Sequence, residues 1–147
     1  MNIDLKILHN FVFFVMFIMF VISNYVIIYK FFQLKNKPNS TLEERFNFIK
    51  NLKKGMWWLD FSATTAPLLG LLGTIFALME AFQKLSAKGL SSSGDITGAI
   101  GFALLATAIG IVLSLWNYLF FKMFQDRISS YKEETKNILI EEILNEE

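Results

Sequence analysis

Residues Ile96–Phe121 read ITGAIGFALLATAIGIVLSLWNYLFF, 26 residues without a charged side chain, bounded by Asp95 and Lys122. A bilayer core of about 30 Å takes roughly 20 apolar residues in a helix, so the stretch predicts a membrane span. Its residues sort by face. Ala99, Ala103, Thr107, Gly110, Ser114 and Asn117 follow at steps of three and four, the spacing of one helix face. All six are small or polar, whereas Ile100, Leu104, Ile111, Leu115 and Leu119 occupy the other side. A helix surrounded only by lipid has no use for such a stripe. It lets another helix approach closely, or it lines something polar.

Two further runs have the same character. Asn10–Tyr29 is a 20-residue uncharged run and Phe61–Met79 a 19-residue one. Three spans in 147 residues leave too little chain for a separate soluble core. The prediction is an all-α membrane protein, a single domain over 1–147. Its spans fall at about 8–32, 58–85 and 96–121, and residues 33–57 and 122–147 lie outside the bilayer. The net charge of +1 points to no nucleic-acid partner, and the absence of cysteine excludes disulfides and thiolate metal sites. The first span is longer than the apolar core of a cleaved leader, and no A-x-A-like site follows it, the first alanine being Ala63. It reads as a retained anchor.

The first span has no Gly or Ala and only Ser23 and Asn24 as interior polar residues. Large side chains all round suit a lipid-facing helix on the outside of an assembly. His9, the sole histidine, reads as interfacial, with a proton-relay role as the alternative. The connector Lys35–Asn39 breaks the helix, and Ser40 with Glu43 resembles a capping box. Leu42, Phe46, Ile49, Leu52 and Met56 then share one face of an amphipathic helix that should run straight into the second span through Trp57 and Trp58. In that span Ala63, Ala66, Gly70, Gly73, Ala77 and Glu80 step by three or four, with Thr74 on the edge of the same face and Pro67 expected to kink the helix or reset its hydrogen bonding. A polar loop is expected over Gln83–Asp95. After the third span, Phe124, Ile128, Tyr131, Ile138 and Leu139 suggest that the same helix continues, amphipathic, to the end. Basic residues set the orientation. The connector and tail hold 11 of them and the opposite side 3, which places the amino terminus outside, the carboxyl terminus in the cytoplasm, and extensions of helices two and three on the cytoplasmic side.

No catalytic constellation and no metal-ligand spacing is visible, and no cofactor is implied. Two hydroxyls, Thr74 and Thr107, fall near mid-membrane on antiparallel spans. Either each bonds back to a carbonyl of its own helix, or both face a shared polar lumen where they order water or bond a partner's buried carboxyl group. Glu80 is either an interfacial side chain or part of proton delivery, and Asp60 reads as interfacial.

Thr65–Phe76, TAPLLGLLGTIF, resembles the second-span motif of the MotA/TolQ/ExbB proton-channel family, and Ala103–Gly110, ALLATAIG, resembles its third-span motif. The three-span plan is nearest the ExbB/TolQ branch. The resemblance implies a bacterial inner-membrane, multi-pass subunit that forms a homo-oligomer, five copies around a dimer of ExbD/TolR-like single-span partners. Each partner's span carries an essential aspartate. Proton flux through that aspartate turns one ring against the other and drives work in the periplasm or outer membrane. By motif, Thr74 and Thr107 line the lumen with Ala103, Gly110, Ser114 and Glu80, while Pro67, Gly70 and Gly73 shape its wall. The sequence departs from the pattern twice. Phe102 stands where many relatives carry a glutamate five residues before the third-span threonine, and no proline follows between Leu105 and Phe121. Proton handling would then rest on the partner's aspartate and the two threonines. The competing reading is a non-conducting structural bundle, in which the small stripes only pack.

Overall fold

The structure, a computed structural model, describes residues 4–38, 41–88 and 93–146. Four helices account for nearly all of it: α1 (Leu5–Lys35), α2 (Leu42–Lys53), α3 (Met56–Lys88) and α4 (Ser93–Glu146). Three stretches are long and apolar enough to cross a membrane, in α1, α3 and the first part of α4. The most extensive contact is between α3 and α4. Next comes α1 against α3, and α2 lies chiefly on α4. At 1.5 Å per residue, the 54 residues of α4 extend about 80 Å.

Three expectations change. The amphipathic helix does not run straight into the second span. Lys54 is extended and Gly55 adopts a φ of 82°, a left-handed conformation suited to glycine. The break lets α2 end on its own cap and lie against α4. Gly55→Ala is expected to cost about 1 kcal/mol through backbone strain alone, because the added Cβ meets nothing nearer than 3.7 Å. Thermal unfolding in detergent would read this.

Second, α2 buries Arg45, Ile49 and Leu52, while Phe46 is exposed. The Arg45 guanidinium packs over the Tyr131 ring at 5.2 Å and donates to the Thr135 hydroxyl at 3.5 Å. The Tyr131 hydroxyl donates to the Pro38 carbonyl at 3.2 Å. Phe124, Ile128, Tyr131 and Thr135, at steps of four and three, form the α4 side of this contact. The expected Ser40 cap lies outside the described residues, and Thr41 precedes the first turn. Of the expected Gln83–Asp95 loop, α3 claims the residues up to Lys88, α4 begins at Ser93, and 89–92 lie outside the described residues.

Third, α1 is exposed on one side only. His9, Val12, Met16, Met19, Ser23, Ile27 and Lys30 form a buried stripe at steps of three and four, while Phe11, Phe14, Phe17 and Phe20 remain exposed. Uniform hydropathy hid the stripe. Lys30, counted as a connector charge, is buried. Its ammonium donates to the Leu52 carbonyl at 2.6 Å, the Asn51 carbonyl at 3.2 Å and the Gln33 side chain at 3.2 Å, using all three of its protons to hold the end of α2. Around it Ile27, Leu52, Met56, Leu59, Phe124 and Ile128 form a core. In water, full burial of one such side chain is worth about 1.5–3 kcal/mol.

Candidate functional site

The α3–α4 contact is built from the two small-residue stripes. Ala63, Ala66, Gly70, Gly73 and Ala77 on α3 are buried, as are Ala103, Ala106 and Gly110 on α4. The backbones nearly touch. A Cβ built at Gly70 would lie 2.8 Å from the Ala106 carbonyl oxygen and 3.0 Å from the Thr107 Cα. One built at Gly110 would lie 2.6 Å from the Ala66 carbonyl oxygen and 3.0 Å from the Gly70 Cα. Within a bilayer, where apolar burial no longer drives helix association, such close packing is what holds helices together.

The approach brings Thr74 and Thr107 into direct hydroxyl contact. Thr74 Oγ1 also lies 3.1 Å from the Gly70 carbonyl of its own helix and 2.9 Å from the Ala103 carbonyl across the interface. Thr107 Oγ1 lies 3.4 Å from the Gly70 carbonyl. Bonding back and facing each other are therefore both realised. Two hydroxyl protons are shared among two carbonyls and two hydroxyl oxygens, so alternative donor arrangements are available, and each oxygen retains capacity to accept. Both side chains are only half-buried, so one side of the pair is open.

The other residues read as lumen-lining are placed differently. Ala103 and Gly110 are buried against α3. Ser114 donates to the Ala63 carbonyl. That bond has a cause in the sequence, because Ala63 is four residues before Pro67 and proline has no N–H to offer its carbonyl. The Ser114 hydroxyl replaces the missing donor from across the interface, where an unpaired carbonyl would be costly. Ser114→Ala is expected to lower stability by about 1–2 kcal/mol. Pro67→Ala, which restores an N–H, should remove most of that cost, and a double-mutant cycle on unfolding in detergent measures it. Glu80 forms an ion pair with Lys84 at 2.6 Å, away from the threonines along α3. Asn117 is buried, with its amide on the Leu113 carbonyl of its own helix at 2.8 Å. Phe102 is exposed at 55% and packs on the His9 ring at a centroid distance of 5.3 Å.

Two features escape the sequence reading. Ser23, Ser62 and the Trp58 indole form a buried polar link between α1 and α3, with contacts of 3.4 Å and 3.3 Å. Ser62 sits one residue before the Ala63 stripe, where periodicity gives no cue. The second is His9, which packs inside the helix bundle. It is 4% exposed, with Nδ1 3.2 Å from the Gly73 carbonyl. Glycine at 73 admits the close approach of α1 and α4 beside it, since a Cβ there would press on Val12 at 3.3 Å and Ala106 at 3.2 Å. Among the described residues no group of three acidic, histidine or cysteine side chains is placed to hold a metal ion.

The model of the MotA/TolQ/ExbB proton channel family matches residues 27–137. The chain belongs to the MotA/TolQ/ExbB proton channel family. It resembles a protein named putative biopolymer transport protein ExbB-like 1 from Helicobacter pylori, with 33% identity over 97 residues, which are 65% of this chain and 51% of that protein. Biopolymer transport protein ExbB from Xanthomonas campestris pv. campestris is 39% identical over 64 residues, 44% of this chain and 25% of that protein. The Salmonella typhimurium protein of the same name is 28% identical over 100 residues, 67% of this chain and 41% of that protein. The chain thus spans about half the length, or less, of these relatives. These names place it in the ExbB branch. With three helices of spanning length, this ExbB-family chain is a multi-pass protein of the bacterial inner membrane. The family match covers both threonines and the α3–α4 contact that joins them.

Proposed function

We propose that this chain is the proton-conducting subunit of an ExbB–ExbD-like motor that uses the proton motive force to energise transport or other work in the periplasm or outer membrane. Copies of the chain, five by the family's plan, surround single-span ExbD/TolR-like partners, with the amino terminus periplasmic. The observation that carries the reading is the paired, half-open Thr74 and Thr107 beside the close α3–α4 approach at Gly70 and Gly110. A carboxylate only accepts hydrogen bonds, whereas a protonated carboxyl also donates one. A hydroxyl pair whose protons can be redistributed serves both forms. It favours neither by adding a charge, so a partner's aspartate can load and unload a proton beside it. Each proton crossing 100 mV releases about 2.3 kcal/mol. Phe102 and the threonines supply no acid, so a second chain must bring it.

The test is gentle co-purification from native membranes with mass measurement. Recovery of a single-span protein with an aspartate in its span supports the motor. Recovery of this chain alone from several detergents counts against it. The second reading, a non-conducting bundle, draws on the hydroxyls already being bonded within the hairpin. It requires function to tolerate Thr→Val at both positions.

A further inference from the structure

His9 is placed where a structural histidine would leave a polar atom unpaired. Its Nδ1 lies 3.2 Å from the Gly73 carbonyl. A carbonyl only accepts, so Nδ1 carries the proton and Nε2 of the neutral ring is a bare acceptor. Nε2 is buried and has no hydrogen-bond partner among the described residues. The same ring forms part of the wall of a cavity of about 390 Å³ at the end of the bundle where α3 finishes and α4 starts. Among the described residues, the charged groups lining that cavity are Lys6 on α1 and Glu80 and Lys84 on α3, and α4 contributes Gly98, Ala99 and Phe102. The carbonyl that fixes the ring belongs to the residue preceding Thr74. A cavity with charged side chains in its wall and a buried base therefore adjoin, and the carbonyl that holds the base is one residue from Thr74 along α3.

We propose that His9 is a proton-relay residue, and that its cavity is the port through which protons reach the Thr74–Thr107 pair. Nε2, closed to water in this structure, takes one proton from a cavity water when the exposed Phe102 ring that covers it moves aside, giving an imidazolium whose Nδ1–H remains on the Gly73 carbonyl. It then releases a proton from Nε2 to the carboxylate of a second chain at the threonine pair, and the ring returns to its neutral form. The inference rests on the proton-channel reading above and adds to it the side and the residue of uptake. The fully apolar neighbours Phe13 and Phe102, at ring-centroid distances of 4.9 Å and 5.3 Å, shield the ring from lipid and leave the cavity as its polar contact.

Because this is the only histidine in the chain, ¹⁵N-histidine labelling of the full chain, in the membrane complex with its partner, observes it alone. The expected spectrum is the Nδ1–H tautomer with Nε2 bare at high pH, gaining a second ring proton on acidification within the pH range over which the complex conducts. A ring that keeps one form over that range, or that carries its neutral proton on Nε2, overturns the relay. In liposomes, His9→Gln keeps a side-chain donor for the Gly73 carbonyl but removes the titrating base. It is expected to lower proton flux about tenfold or more, and to flatten its dependence on the pH of the cavity side, while the complex assembles normally. Wild-type flux and pH profile in His9→Gln, with Thr107→Val inactive, would overturn the relay and leave the channel intact. Wild-type flux in both variants would overturn the channel reading and the relay with it. Should His9→Gln fail to assemble, the titration of the wild-type ring decides the question by itself.

Discussion

Gly110→Ala is expected to part α3 from α4 and to silence proton flux even where the protein reaches the membrane. The added Cβ would lie 2.6 Å from the Ala66 carbonyl oxygen and 3.0 Å from the Gly70 Cα. Both are backbone atoms, so no side chain can step aside and a helix must move. Overpacking of this kind costs about 1–3 kcal/mol, and here it also separates the two threonines, which touch only because the backbones do. Gly70→Ala should act the same way, through contacts of 2.8 Å and 3.0 Å with the α4 backbone. The two substitutions should not be additive, since each relieves part of the clash made by the other. Gly101→Ala is the control. It has open space around the built Cβ and should match or slightly exceed the wild type, as alanine favours helix over glycine by about 1 kcal/mol. Thermal unfolding in detergent and proton flux in liposomes measure the two consequences. A Gly110→Ala protein that melts and conducts like the wild type would show that the close approach is not needed.

Thr74→Val and Thr107→Val should give the opposite signature, with stability kept and function lost. Valine matches threonine in shape, so the helix contact survives. The carbonyls that lose a hydroxyl donor, Gly70 and Ala103, lie within helices and keep their backbone partners, so the expected cost is under about 1 kcal/mol. The hydroxyls themselves are gone, and with them the ability to bond both forms of a carboxyl group. Loss of a preorganised donor typically slows a charge-handling step by about a hundredfold or more, and a similar fall in energised work in cells is expected at unchanged membrane levels. Thr→Ser at either position should retain much of the activity. Full activity in both valine variants would mean that the pair serves packing alone.

The contrast between these substitutions reflects what periodicity can and cannot reveal. The small stripes on α3 and α4 were legible because size alternates around each helix, and Gly70, Gly73 and Gly110 stand out against leucine and isoleucine. The motif singled out two threonines but not that they would touch, which depends on backbone contact at Gly70 and Gly110. The role of Ser114 follows from Pro67 only once the two helices are in register. On α1 nothing alternates in size, so the buried stripe and the placement of His9 stayed hidden. The Gly55 break was missed because a lone glycine between an amphipathic and an apolar segment is compatible with a continuous helix, and only the contact of α2 with α4 makes the turn necessary.

The central claim is that Thr74 and Thr107 form the wall past which protons move. It is tested most directly by proton uptake into liposomes holding the co-purified complex, under an imposed membrane potential, with wild-type and Thr74→Val/Thr107→Val complexes loaded at equal amounts. Flux that requires the wild-type pair and falls to the level of empty liposomes in the variant is the expected result. Flux from the variant equal to that of the wild type would contradict it.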